Sequence, residues 1–168
     1  MKVLCSEIRH CAKRQNVNFK LKKHCTKMKT DKSIKDVTIA AVNRSAVEPE
    51  NWLYSKVCVE DKSREFVLEE DELPIFEINS PKAKTIITTR RIIQNENGKL
   101  SFISFEEIDD IVYGDFKKQI NKPELSKFRI VDMYGDEFDF QMETGKASIG
   151  LINSVKTVLK LKASSYNR

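Results

Sequence analysis

The chain has 168 residues, of which 40% are hydrophobic and 33% are charged, and its formal net charge at pH 7 is +5. This length suits one domain with an extension, and the composition is that of an ordinary globular protein. No apolar run approaches the ~18 residues of a membrane-spanning helix, and the N-terminus lacks the apolar core of a secretory signal.

The positive charge is concentrated at the N-terminus. Residues 1–36 contain eleven Lys and Arg against three acidic residues, so this segment carries +8 and the remainder carries −3. Its apolar residues are scattered without a sustained period, so residues 1–32 are predicted to be a disordered basic tail. Translation from Met28 is an open alternative, which would remove three cysteines and both histidines.

The four cysteines are predicted to be free thiols, because the chain lacks an export signal and is long enough to form a core without disulfides. They are Cys5, Cys11, Cys25 and Cys58. This places the protein in a reducing cytoplasm.

The next segment, residues 33–60, is predicted to contain a short helix and a linker. Apolar residues in 33–47 recur on one helical face, with Ser33 as a candidate cap, and Pro49 ends the helix. The broken apolar alternation in residues 48–65 leaves the structure of that stretch open.

From Pro74 onward the sequence predicts about seven short antiparallel strands, because β-branched and aromatic residues dominate. They cover residues 75–78, 83–88, 90–94, 99–105, 111–113, 126–133 and 137–142. The Asn97-Gly98 pair predicts a type I′ hairpin turn, since both central positions of that turn need positive φ.

The alternation of side chains predicts which faces are buried. Leu100 and Phe102 share one face of their strand. The last strand alternates. Its inward residues are predicted to be Phe138, Phe140 and Met142, and its outward residues Glu137, Asp139 and Gln141. From Ile149 the apolar spacing becomes helical, so an amphipathic C-terminal helix is predicted to cover an open end or face of the sheet, with residues 164–168 frayed.

Several motifs occur in a fixed order along residues 74–162. The run IITTRRII is followed by the Asn97-Gly98 hairpin, by the pattern F-x-x-I-D-D-I from Phe105 to Ile111, and by a final strand and helix. In this order they resemble the pleckstrin-homology-like superfold, especially its bacterial and GRAM-like members. The resemblance implies a mainly β (α+β) fold over residues 61–163: a barrel of about seven antiparallel strands, formed by two nearly orthogonal sheets, capped by the C-terminal helix.

The sequence favours a protein without catalytic activity or a cofactor. It lacks a nucleophile elbow, a zinc-protease motif and a glycine-rich phosphate loop. The acidic corner, Glu106, Glu107, Asp109 and Asp110, could bind a cation or act as paired carboxylates. It has no partner base, however, so a solvated corner between strands is the preferred interpretation.

A metal site in the tail is also disfavoured. The permitted zinc ligands are Cys5, His10, Cys11, His24 and Cys25. They do not form the paired C-x₂₋₄-C knuckles of structural zinc sites, and the adjacent His24 and Cys25 are poorly placed to point at one ion.

The resemblance implies one candidate ligand site. Some pleckstrin-homology domains bind phosphoinositides through basic residues near the first strands, and the matching positions are Lys82, Lys84, Arg90 and Arg91. The alternative interpretation is that these cations flank edge strands and discourage aggregation. The positive charge of the tail can attract nucleic acid or anionic lipid. This attraction is nonspecific, because Phe19 is the only aromatic residue of the tail and base stacking is poorly supported.

These observations lead to two hypotheses. The first is a non-catalytic binding or scaffolding domain whose partner is another protein or a second copy of itself. Domains of the resembled superfold often bind a peptide in the groove between the C-terminal helix and the neighbouring strand, adding it to a sheet edge. The second is a peripheral membrane module recruited to anionic lipid by the tail and the four cations.

Overall fold

The computed structural model of the protein describes residues 29–114 and 123–166. The elements in this part are α1 (Asp31–Ser45), a 3₁₀ helix (Pro49–Asn51), β1 (Ser55–Val57), β2 (Pro74–Asn79), β3 (Ala83–Thr88), β4 (Arg91–Glu96), β5 (Lys99–Ser104), β6 (Ile108–Tyr113), β7 (Leu125–Asp132), β8 (Glu137–Glu143) and α2 (Lys146–Tyr166). Most of the predicted tail, with its cysteines and histidines, lies outside the described residues.

The strands form two antiparallel sheets, which confirms a mainly β, α+β fold with a C-terminal helix. One sheet has the order β1-β2-β3-β4-β5 and the other has the order β6-β7-β8. The predicted closed barrel is not formed, because within the described residues no strand pair joins the sheets. The Glu107 amide donates to the Ser104 carbonyl at 3.1 Å, so the chain turns after β5 and β6 pairs only with β7.

The core lies between the two sheets and α2. It contains side chains from both sheets and from one face of the helix, among them Phe76, Phe128, Phe140, Met142 and Val155. The predictions that Phe140 and Met142 face inward are confirmed, since neither exposes any surface.

The predicted short helix is observed as α1, and it belongs to the packed structure. Its N-terminal cap is Thr30 rather than Ser33, because the Thr30 hydroxyl accepts a hydrogen bond from the Ser33 amide at 3.3 Å. α1 packs along α2, where the Asn153 side chain donates to Ser45 Oγ at 2.7 Å. Ile34 reaches the core.

Residues 48–65, whose structure the sequence did not predict, contribute β1. This strand pairs antiparallel with β2 and brings the number of strands in the described residues to eight. The Glu143 carboxylate accepts hydrogen bonds from the amides of Leu53, Tyr54 and Ser55 at 2.8, 3.0 and 2.8 Å. These bonds attach the chain before β1 to the end of β8. The predicted domain boundary at residue 61 therefore falls between two strands of one sheet.

The prediction that Gln141 faces solvent is wrong. Gln141 exposes 9% of its surface, and its backbone amide donates to Gln94 Oε1 at 2.6 Å. The Gln141 side chain also accepts a hydrogen bond from the Ser80 hydroxyl. The physical reason is that both faces of the end of β8 are covered, one by the core and the other by polar residues of the five-stranded sheet.

Candidate functional site

The structure separates the four predicted lipid-binding cations into two pairs. Lys82 and Lys84 lie at the start of β3, whereas Arg90 and Arg91 follow its end. Six residues of extended chain span about 20 Å. The four side chains therefore do not form one site.

Arg90 is bound to acidic residues of the same chain. Its Nη2 donates to Asp31 Oδ2 at 2.9 Å and its Nη1 donates to Glu69 Oε2 at 3.3 Å. The hydrogen bond and charge of Asp31 raise the pKa of Arg90 above its ordinary value. The contact between Arg90 and Asp31 joins the first turn of α1 to the turn between β3 and β4.

Arg91 forms a two-bond ion pair with Glu72, which is buried. Arg91 Nε donates to Oε1 at 3.1 Å and Nη2 donates to Oε2 at 2.9 Å, while Thr88 donates to the same carboxylate at 2.6 Å. Burial acts to raise the pKa of Glu72, but these bonds and that from the Glu69 amide outweigh it and hold the pKa below its ordinary value.

The other two cations differ from each other. Lys84 Nζ lies 2.5 Å from Glu65 Oε2. Lys82 is exposed and forms no ion pair with any residue in the described part of the chain. Three of the four predicted ligands are therefore already neutralised by internal carboxylates.

A cleft of about 450 Å³ lies between the start of α1, the β3–β4 turn, the end of β5 and the end of α2. Its charged lining contains both signs and includes Lys29, Asp31, Glu69, Arg90, Glu106 and Lys162. Lys162 pairs with Glu106 at 3.0 Å. Such a balanced lining gives the cleft no strong preference for an anion, and Phe102 supplies an apolar wall.

The acidic corner spans the β5–β6 turn and the start of β6. All four of its carboxylate residues are exposed, and Phe105 anchors the turn in the core. Within residues 29–114 and 123–166, no group of three or more His, Cys, Asp or Glu is arranged to hold a metal ion. The five tail residues considered as zinc ligands lie outside the described residues.

Cys58 is buried and its thiol is free. Burial raises its pKa to about 12, and the nearby Glu77 carboxylate acts in the same direction. The thiol is therefore protonated at neutral pH and is a poor nucleophile.

The outer side of β5 is an open strand edge, because within the described residues only β4 pairs with this strand. We call the unpaired side of Lys99–Ser104 the β5 edge. The turn residues Asn97 and Gly98 have φ of 52° and 84°, which confirms the predicted type I′ hairpin. A two-residue turn makes Glu96 and Lys99 the first hydrogen-bonded pair of the hairpin.

The hydrogen-bonding direction then alternates along β5. Odd-numbered residues bond to β4, as the Phe105 amide does to the Arg90 carbonyl at 3.0 Å. Even-numbered residues point their backbone groups outward. Both outward backbone groups of Ser104 are bonded to Glu107. The Ser104 carbonyl accepts from the Glu107 amide at 3.1 Å, and the Ser104 amide donates to the Glu107 carboxylate at 3.3 Å. The outward N–H and C=O groups of Leu100 and Phe102 are left to a partner strand.

The side chains at these two positions are exposed as well. Leu100 exposes 59% and Phe102 52% of its surface. Phe102 lies beside Ile93 of β4, on a face that Phe66 and Leu68 cover farther from the edge. The sequence indicated that Leu100 and Phe102 share a face, but not which one. The sequence feature that could have identified Leu100 and Phe102 as the exposed face is the opposite face of β5. That face is also apolar, and its residues Ile103 and Phe105 enter the core.

No helix in the described part of the chain combines the length and apolar character needed to cross a bilayer. Comparison of the chain with protein-family models, with curated proteins and with solved structures found no match.

Proposed function

We propose that this protein is a non-catalytic binding or scaffolding module of the cytoplasm, with a pleckstrin-homology-like fold and with the β5 edge as its protein-binding surface. The fold assignment is supported by the succession of a meander sheet, a three-stranded antiparallel sheet and a C-terminal helix. The unclosed sheets are the feature in which this chain differs from the expected barrel.

The observation that carries the proposal is the unpaired edge at Leu100 and Phe102. A long edge strand with exposed apolar side chains is a template for pairing with another strand. Strand addition uses backbone hydrogen bonds for affinity and alternate side chains for specificity, and the β5 edge offers both.

The groove along α2 has less support as the binding surface. α1 packs against α2 within the chain, and the Asn153–Ser45 hydrogen bond fixes this contact. A peptide there would compete with part of the protein's own structure, whereas a peptide at the β5 edge would displace nothing in the described part.

The absence of catalysis is part of the same proposal. The Cys58 thiol is held protonated by burial, and the acidic corner is open to solvent. Neither offers a nucleophile beside a base, which covalent catalysis requires.

Affinity capture from the native cell, with the full chain as bait, tests the function. The Phe102→Lys bait is expected to lose its specific partner, because the substitution places a charge on the apolar face of the edge. Val112→Lys is the matched control, since Val112 lies on β6 and is also 52% exposed. Capture of the same proteins by the wild type and the Phe102→Lys variant would contradict the proposal.

A further inference from the structure

We propose that the partner at the β5 edge is a second copy of this chain, and that the two β5 strands pair antiparallel about a two-fold axis at Ser101. This inference rests on the proposed function, because it names the partner of the same edge. Leu100 of each copy would lie opposite Phe102 of the other.

The backbone selects this register. Leu100 and Phe102 are the two positions of β5 whose outward groups are not bonded within the described chain, since Ser104 is engaged by Glu107. In an antiparallel pair, two opposite residues of the hydrogen-bonded type exchange both of their N–H···O bonds. A centre at Ser101 therefore satisfies every outward group of both residues in both copies, with four hydrogen bonds. A centre at Phe102 would place Leu100 opposite Ser104, whose groups are already used.

The side chains are self-complementary in the same register. Leu100 and Phe102 lie on one face of the strand, so directly opposed pairs bring four apolar side chains together on one face of the joined sheet. That face continues into Ile93 and Ile86, which Phe66 covers within each copy. Pairing thus extends an existing apolar cluster across the axis.

The charges also favour this edge over the open edge of β6. The single charged residue of β5 is Lys99, which would lie opposite the uncharged Ile103. On β6, the exposed residues include Asp109 and Asp110, and like charges brought together on neighbouring strands are unfavourable. β8 has backbone groups on its outer side already bonded, since the Gln94 side chain accepts from the Gln141 amide and donates to the Asp139 carbonyl. β1 has three residues, which leaves β5 as the best edge for self-pairing.

The association is expected to be reversible and dependent on concentration. Four hydrogen bonds and four side chains form a smaller contact than the roughly 800 Å² per partner of a standard interface. Sedimentation equilibrium should show a mass that rises from one chain toward two with concentration. Leu100→Lys and Phe102→Lys should each hold the mass at one chain, while Val112→Lys should behave like the wild type. Circular dichroism of each variant verifies folding.

Cross-linking tests the register independently of these substitutions. In a full chain with Cys5, Cys11 and Cys25 changed to Ser, Ser101→Cys should form an intermolecular disulfide with oxidised glutathione. Two opposed residues of the non-hydrogen-bonded type have Cα atoms about 4.5 Å apart, within the roughly 4.4–6.8 Å of disulfides. Ser104→Cys is the matched control, because in this register its two copies are about 20 Å apart.

The expected result is covalent dimer from Ser101→Cys at least ten times faster than from Ser104→Cys. Equal rates, or a mass of one chain at every concentration, would overturn the proposal. If the chain is monomeric but the capture of another protein depends on Phe102, the proposed function holds with a different partner. If neither pairing nor Phe102-dependent capture occurs, both proposals fail.

Discussion

Arg91 donates two hydrogen bonds to the buried carboxylate of Glu72, at 3.1 and 2.9 Å. The pair joins the start of β4 to the segment before β2, and the Arg91 guanidinium also lies 5.4 Å from the centre of the Phe102 ring. A residue that resembles a ligand for phosphate in the sequence therefore stabilises the fold next to the β5 edge.

Arg91→Ala is expected to lower the free energy of unfolding by about 3–5 kcal/mol, because it leaves the Glu72 charge buried without its partner. Urea denaturation measures this change. Arg129→Ala is the control, since Arg129 pairs with Glu137 and Asp139 on the surface and such pairs contribute up to about 1 kcal/mol. Equal losses in the two variants would show that the Glu72 pair is no stronger than a surface pair.

Stability should also depend on pH through Glu72. Its pKa in the folded protein is lowered, so the unfolded chain binds the proton more tightly. The resulting stability is present above the ordinary glutamate pKa of about 4.3 and is lost as the pH falls through the folded value. Urea denaturation between pH 7 and pH 3 should show a smaller fall for Glu72→Gln than for the wild type. Parallel curves would exclude this role.

Glu143→Ala should release the chain before β1. The carboxylate accepts three amide hydrogen bonds, and bonds to a charged group each contribute about 1.5–3 kcal/mol. We expect a loss of at least about 3 kcal/mol and faster hydrogen exchange at the amides of Leu53, Tyr54 and Ser55. Glu137→Ala on the exposed part of β8 is the control. Unchanged exchange at these amides would contradict the assigned contact.

Local patterns in the sequence were sufficient for most of the described fold. The Asn97-Gly98 turn, the strands from β2 to β8 and both helices follow from turn chemistry and apolar period. β1 did not, because it has three residues and its attachment depends on Glu143, 88 residues away from Ser55. The burial of Gln141 was missed for a related reason, since it depends on contact with Gln94 of the other sheet and with Ser80 of the β2–β3 turn.

The candidate site was less predictable than the fold. The resemblance to the pleckstrin-homology-like superfold identified Arg90 and Arg91 as candidate ligands. It could not show that Asp31, Glu69 and Glu72 would neutralise them. The sequence indicated the shared face of Leu100 and Phe102. Its exposure follows from β5 being the last strand of its sheet, which is a property of the topology.

Gly150→Ala should fail to stabilise the protein although alanine is the better helix former. A Cβ atom at this position would lie 2.8 Å from the Trp52 ring and 2.9 Å from the Phe76 ring. Overpacking of this kind lowers the free energy of unfolding by about 1–3 kcal/mol, which offsets or exceeds the gain of about 1 kcal/mol in helix propensity. Thermal denaturation should show no rise in Tm. Lys156→Ala, on the exposed face of α2, is the control and should leave Tm nearly unchanged.

Co-sedimentation with vesicles of phosphatidylserine and phosphatidylcholine separates the basic tail from Arg90 as the source of any membrane binding. Arg90 is already paired with Asp31 and Glu69, so Arg90→Gln should change co-sedimentation with these vesicles no more than Arg129→Gln does. Deletion of residues 1–28 should remove any binding at low salt, because this segment carries eight basic residues and one acidic residue. Binding through these charges should weaken at physiological salt, where the screening length falls to about 8 Å. A loss with Arg90→Gln as large as the loss on deletion would instead support a lipid site at the cleft.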